Sequence, residues 1–202
     1  YDPADKRFKM WYMGSNLKRT CYATSRDGIH WEKPELDIVP GTNILLDQER
    51  DSDTVWLDHN EKDPAQRFKM FTTVPRPEGD GFKPAIYYSA DGIHWGEPLI
   101  IGGGIGDRTT IFFNPFREKW VYSIRSLIEP WGRSRRYSEC TDLVEGMLDD
   151  LARMGYLEVV GAGCAPSACS SCAGSCARLP VTGGRTWMLT EKGRRAAGRH
   201  GG

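Results

Sequence analysis

Asp63-Pro64-Ala65-Gln66-Arg67-Phe68-Lys69-Met70 repeats Asp2-Pro3-Ala4-Asp5-Lys6-Arg7-Phe8-Lys9-Met10, with one residue fewer before the shared Arg-Phe-Lys-Met run. Downstream of each copy comes a second shared stretch. Asp27-Gly28-Ile29-His30-Trp31 returns as Asp91-Gly92-Ile93-His94-Trp95, each with a proline three positions later, at Pro34 and Pro98. Asn114-Pro115-Phe116-Arg117-Glu118-Lys119-Trp120 is a looser third copy of the first stretch. Tyr137 to Leu143 reads as a decayed third copy of the second, with Glu139 aligned to Ala90 beside a turn. The copies are spaced by 60 and 64 residues and then by about 50. A period of this length signals units that bury a core only by stacking on one another.

Within each unit apolar and polar residues alternate, as in Phe8 to Met13, Cys21 to Ser25, Phe68 to Val74, Ile86 to Ser89, Thr110 to Phe113 and Trp120 to Ile124. Period-two alternation bounded by Gly, Pro and Asp predicts half-buried strands joined by tight turns. Asp-Gly supplies the positive φ that such turns need. The Trp that follows each Ile-His is expected to pack between neighbouring sheets, and His30 and His94, at the same repeat position, are expected to be scaffold. Residues 1–138 therefore read as about two and a half β units, and the chain as a whole as mainly β with a small α/β C-terminal part.

The Asp-Gly-Ile-His-Trp hairpins and the segment Asp107-Arg108-Thr109-Thr110-Ile111-Phe112-Phe113-Asn114-Pro115 resemble the five-bladed β-propeller glycoside hydrolases of the invertase, levanase and arabinanase type. The resemblance implies a partial propeller and a carbohydrate partner. It also implies inward-pointing carboxylates from separate blades, because glycoside hydrolysis uses one group to protonate the leaving oxygen and another to attack or to activate water. Asp107, beside Arg108, is the best positional match, followed by Asp53 before Thr54-Val55-Trp56. A lone aspartate at the start of a strand is more commonly a turn cap. The family's first catalytic carboxylate would fall ahead of Tyr1, where upstream sequence is expected to have been removed, so any glycoside hydrolase here would carry an incomplete catalytic set.

Residues 139–202 are patterned differently. Leu143, Met147, Leu148, Leu151 and Met154 recur at intervals of three and four until Gly155, which predicts an amphipathic helix capped by Thr141 or Asp142. Tyr156 to Val160 then alternates as a strand, with Thr186 to Leu189 as its partner across a long loop, and a short helix is expected over 191–197. In that loop Cys164, Cys169, Cys172 and Cys176 put four thiolates among Gly, Ala and Ser. The first three follow the C-x4-C-x2-C spacing of plant-type ferredoxins, which favours an iron-sulfur cluster. Zinc is the alternative, since four thiolates suit its tetrahedral site, and disulfides or free thiols remain a third outcome. Helix, strand, cysteine loop and strand resemble part of the FeoC-type winged-helix regulators associated with ferrous-iron transport. That resemblance implies a metal-binding regulatory module whose partner is DNA or a transporter protein.

The 27 Lys and Arg balance the 27 Asp and Glu, so net charge points to no particular partner. Locally, 139–160 holds six acids and one base, whereas from Arg178 onward there are six bases and one acid. The longest apolar stretches, such as Leu99 to Ile101, are far too short to span a bilayer, and no leader opens the chain, so a cytoplasmic location without membrane insertion is expected. Three readings stay open: a metal or iron-sulfur regulatory module fused to a carbohydrate-related propeller part, a propeller glycoside hydrolase, and a non-functional fusion of two gene fragments.

Overall fold

The computed structural model describes residues 1–14, 16, 18–76, 81–101, 103–162 and 185–190. The chain is mainly β, with one α-helix among these residues. Among the described residues thirteen strands form four antiparallel sheets, none closed into a barrel. The first sheet contains β1 (Phe8–Gly14) and β2 (Arg19–Ser25), with the short β3 (Trp31–Glu32) and β4 (Ile44–Leu46) both on the far edge of β2. The second is a meander of β5 (Asp53–Leu57), β6 (Phe68–Pro75), β7 (Phe82–Ser89) and β8 (Ile100–Ile101). The third is a meander of β9 (Thr110–Asn114), β10 (Lys119–Ile128) and β11 (Gly132–Cys140).

Strand register makes the three sheets copies of one unit. Phe8 faces Ser25 in the first, Phe68 faces Ser89 in the second and Trp120 faces Cys140 in the third. Two residues beyond that partner stands an aspartate whose Oδ1 accepts two backbone N–H groups. Asp27 takes those of Ile29 and His30, Asp91 those of Ile93 and His94, and Asp142 those of Val144 and Glu145, all at 2.7–2.9 Å. Register thus aligns Thr141, not Glu139, with Ala90. Glu139 lies within β11 opposite Val121, paired with Arg117 at 2.7 Å.

In the third unit the aspartate turn continues as α1 (Leu143–Arg153), with Asp142 as its N-cap. The helix ends in a hydrogen-bonded cap: Gly155 N–H donates to Ala152 and Tyr156 N–H to Leu151, which satisfies two terminal carbonyls. Its apolar stripe is buried. Leu143, Val144, Met147, Leu148 and Leu151 share one core with Ile111, Trp120, Tyr122 and Ile124 of the third sheet and with Phe71 and Ile86 of the second. Full burial of a side chain of this size is worth roughly 1.5–3 kcal/mol. A Cβ on Gly146 would lie 2.5 Å from the Tyr122 ring and hydroxyl, so the glycine is what lets the helix close on β10. The boundary expected at 138/139 falls inside β11, and residues on both sides of it contribute to this core.

After α1, the expected strand and its partner pair as β12 (Leu157–Ala162) and β13 (Arg185–Leu189). The four loop cysteines and the helix expected over 191–197 lie outside the described residues. The first two sheets are joined by polar contacts as well as by packing. Trp11 Nε1 donates to Gly92 O at 2.7 Å, Arg67 reaches Asp2 at 2.8 Å, and Trp11 stands between Tyr22 and Phe68. Of the two motif tryptophans, Trp95 packs between these sheets as expected, whereas Trp31 is exposed on the two-residue β3. No helix among the described residues is long and apolar enough to cross a membrane.

Candidate functional site

The first strands of the second and third units, β5 and β9, contact each other. Leu57 faces Phe68 and Phe113 faces Trp120, so Asp107 occupies the repeat position of Asp51, and Thr109 that of Asp53. The two candidate carboxylates are therefore not counterparts, and their surroundings differ.

Asp53 is buried. It accepts hydrogen bonds from Thr20 Oγ1 at 2.6 Å and Thr72 Oγ1 at 2.5 Å, and Arg50 Nε stands 2.9 Å away. The Arg50 N–H is not aimed at the oxygen, so that attraction is coulombic and not a directed hydrogen bond. Burial pushes the Asp53 carboxyl above its ordinary pKa, against the pull of the two hydroxyls and the guanidinium. Thr20 belongs to the first sheet and Thr72 to the second, so Asp53 ties two units together. Asp51 does the same one junction on: it accepts the backbone N–H of Arg108, ahead of β9.

Asp107, by contrast, has its side chain 40% exposed, and it forms an ion pair with Arg125 on β10. It lines a cleft of about 450 Å³ bounded by the β8–β9 connection, the β10–β11 hairpin and the end of α1. Five arginines line the same cleft: Arg76, Arg125, Arg133, Arg136 and Arg153. Arg125 is matched by Asp107, and Arg153 by Asp150 at 3.0 Å. Arg76 Nε is buried without a hydrogen-bond partner among the described residues, and no acidic partner among them pairs with Arg133 or Arg136. At Gly104 the Tyr156 hydroxyl comes within 2.5 Å of where a Cβ would be, so the absence of a side chain there shapes the wall. Trp131 stands at the tip of the β10–β11 hairpin, two residues from Arg133 and 78% exposed.

The sequence reading found Asp107 and missed the cleft around it. Its one local signal is Arg133-Ser134-Arg135-Arg136, a basic run in a strand that does not alternate; the other arginines come from distant parts of the chain. No group of three or more His, Cys, Asp or Glu suited to a metal occurs among the described residues. The two described cysteines are free: Cys21 is buried in β2, and Cys140 is half-buried at the end of β11.

No family model matches the chain, and no curated protein matches it. Among solved structures it is similar to the crystal structure of an N-acetylgalactosamine deacetylase from F. plautii in complex with blood group B trisaccharide. The TM-score is 0.43 and the identity 18%, over 69% of this chain and 47% of that one. The chain thus spans about half the length of that neighbour, and a likeness at this level assigns neither substrate nor site.

Proposed function

We propose that residues 1–138 are successive blades of a β-propeller of carbohydrate-directed type, and that the cleft beside Asp107 binds a saccharide. The observation that carries this reading is the pairing of an exposed Trp131 with a polar cleft on the same hairpin. The apolar face of a sugar ring stacks on an indole while its hydroxyls take hydrogen bonds from charged groups alongside. The shared register of the three sheets supports the blade reading.

Binding is favoured over hydrolysis by the state of the carboxylates. A glycosidase needs two that reach the same bond, and Asp53 is buried under three partners, which leaves Asp107 as the accessible one of the candidate pair. The test is a titration of the full chain with a panel of oligosaccharides, alongside Trp131→Ala and Asp107→Asn. At least tenfold weaker binding in Trp131→Ala is expected. Absence of binding across the panel, or unchanged affinity in both variants, would overturn the reading. Turnover of aryl glycosides or fructans that disappears in Asp107→Asn would move the assignment from binding to catalysis.

A second reading concerns the four cysteines, and the β12–β13 ladder favours it. The ladder brings the two ends of the chain segment that carries Cys164, Cys169, Cys172 and Cys176 next to each other, as the wing of a winged helix following α1 would. Four thiolates are a fitting donor set for an iron-sulfur cluster, or for zinc, and the module would act as a regulator toward DNA or a transporter protein. Anaerobic purification with iron, sulfide and zinc analysis, and Cys172→Ser as control, decides the point. Iron with sulfide supports the cluster, and a protein with neither iron nor zinc excludes the site.

A further inference from the structure

We propose that the cleft recognises an anionic saccharide, one bearing carboxylate or sulfate groups, through Arg76, Arg133 and Arg136. This rests on the carbohydrate reading above and specifies the substrate class.

The charge count of the cleft points this way. Five arginines line it, and two are matched by Asp107 and Asp150, which leaves three arginines in the lining without an acidic partner among the described residues. Like charges gathered in a concave wall repel one another, and an anion between them relieves the repulsion. Guanidinium is also suited to the task, since its planar fork donates two parallel hydrogen bonds to a carboxylate or sulfate. Arg76 adds a second observation: it lines the same cleft, and its Nε is a buried donor without a partner among the described residues. Placement fits a saccharide better than a free small ion. Leu127 and Arg133 are cross-strand partners, and both line the cleft, while Trp131 closes the same hairpin. A ring stacked at the tip would thus carry its acidic substituent along the strand toward the arginines. Asp107 is the one carboxylate in the lining among the described residues, and its pairing with Arg125 keeps it from opposing the anion with a full charge.

The experiment uses the full chain, trigalacturonate, a neutral galactose trisaccharide and sodium sulfate as probes. Arg133→Gln and Arg136→Gln are made singly and together, because both side chains are exposed and their removal leaves the core intact. At low ionic strength trigalacturonate is expected to bind at least tenfold more tightly than the neutral trisaccharide. That preference is expected to disappear in the double variant and to shrink as salt is raised, since the arginines lie at the surface. Neutral binding should weaken less than acidic binding in the double variant. Equal affinity for the two saccharides, or an acidic preference that survives the double substitution, overturns the anion assignment and leaves the carbohydrate reading standing. If neither saccharide binds while sulfate binds wild type and not the double variant, the anion site stands and the carbohydrate reading falls.

Discussion

Asp53 illustrates how a residue type that suggests chemistry can be committed to structure. A catalytic role would require an accessible carboxylate, yet this one is shared among Thr20, Thr72 and Arg50, and the Arg50 side chain is itself only 5% exposed. Removing one member of a buried pair strands the other charge, so Asp53→Ala should cost about 3 kcal/mol or more in denaturant unfolding. An effect well below 1 kcal/mol would show that Arg50 finds water or another partner. The motif histidine offers a test by pH. His94 is raised above its ordinary pKa by its hydrogen bonds to Asp91 and then Asp37. Burial pushes Asp91 up, but the hydrogen bonds from His94, Ile93 and Ser89 outweigh it and hold the carboxyl at about 2. A raised histidine stabilises the fold fully below its unfolded pKa, and this is lost as pH rises through the higher folded value. A lowered aspartate stabilises above its unfolded pKa, and this is lost as pH falls toward 2. Their overlap runs from about pH 4 to about pH 6.5. The Tm difference between wild type and His94→Gln should be largest near the middle of that window and shrink in alkali, and a pH-independent difference would contradict it.

Among the elements, those with a strong period were legible and those defined by a partner were not. Five apolar residues at helical spacing, an aspartate before them and a glycine after them specify α1 almost to the residue. The alternation on either side of the cysteine loop likewise gave the β12–β13 pair. β11 escaped notice because Gly132-Arg133-Ser134-Arg135-Arg136-Tyr137 shows no apolar alternation; it is a strand because β10 pairs with it residue by residue. The same gap displaces Glu139 by two positions: sequence matches Ser138 to Ser89, whereas register puts Cys140 there. Gly146 is the element-scale determinant most open to test. A methyl group at that position meets a fully buried Tyr122, whose hydroxyl donates to Leu143 O at 2.6 Å and so cannot swing away freely. Gly146→Ala would gain helix propensity, but the overpacking should dominate, giving a net loss of about 1–3 kcal/mol by thermal or denaturant unfolding. A stabilised variant would mean that the helix is not seated on β10.

For the whole molecule, the outcome is a repeat that changes character in its third copy. Asp27 and Asp91 each close a tight turn, while Asp142, at the same place in the unit, starts a helix that packs on the third sheet and joins the core it shares with the second. The sequence shows the change of pattern near Thr141 to Gly146 and suggests two unlike pieces. What it could not show is that the second piece completes the core of the first, because the joining of Leu148 and Leu151 to one buried cluster with Phe71 and Ile86 has no signature in local periodicity. The arginine cleft was hidden for the same reason, being assembled from residues 76 to 156. One shared core implies one cooperative unit, whereas two joined fragments would open separately. Native-state hydrogen exchange across a denaturant series, read peptide by peptide, tests this most directly. The amides of α1 should merge with those of β6, β7 and β10 into a single opening of the same free energy and denaturant dependence. Exchange of α1 through a separate, lower-energy opening while β6 and β7 stay protected would contradict it.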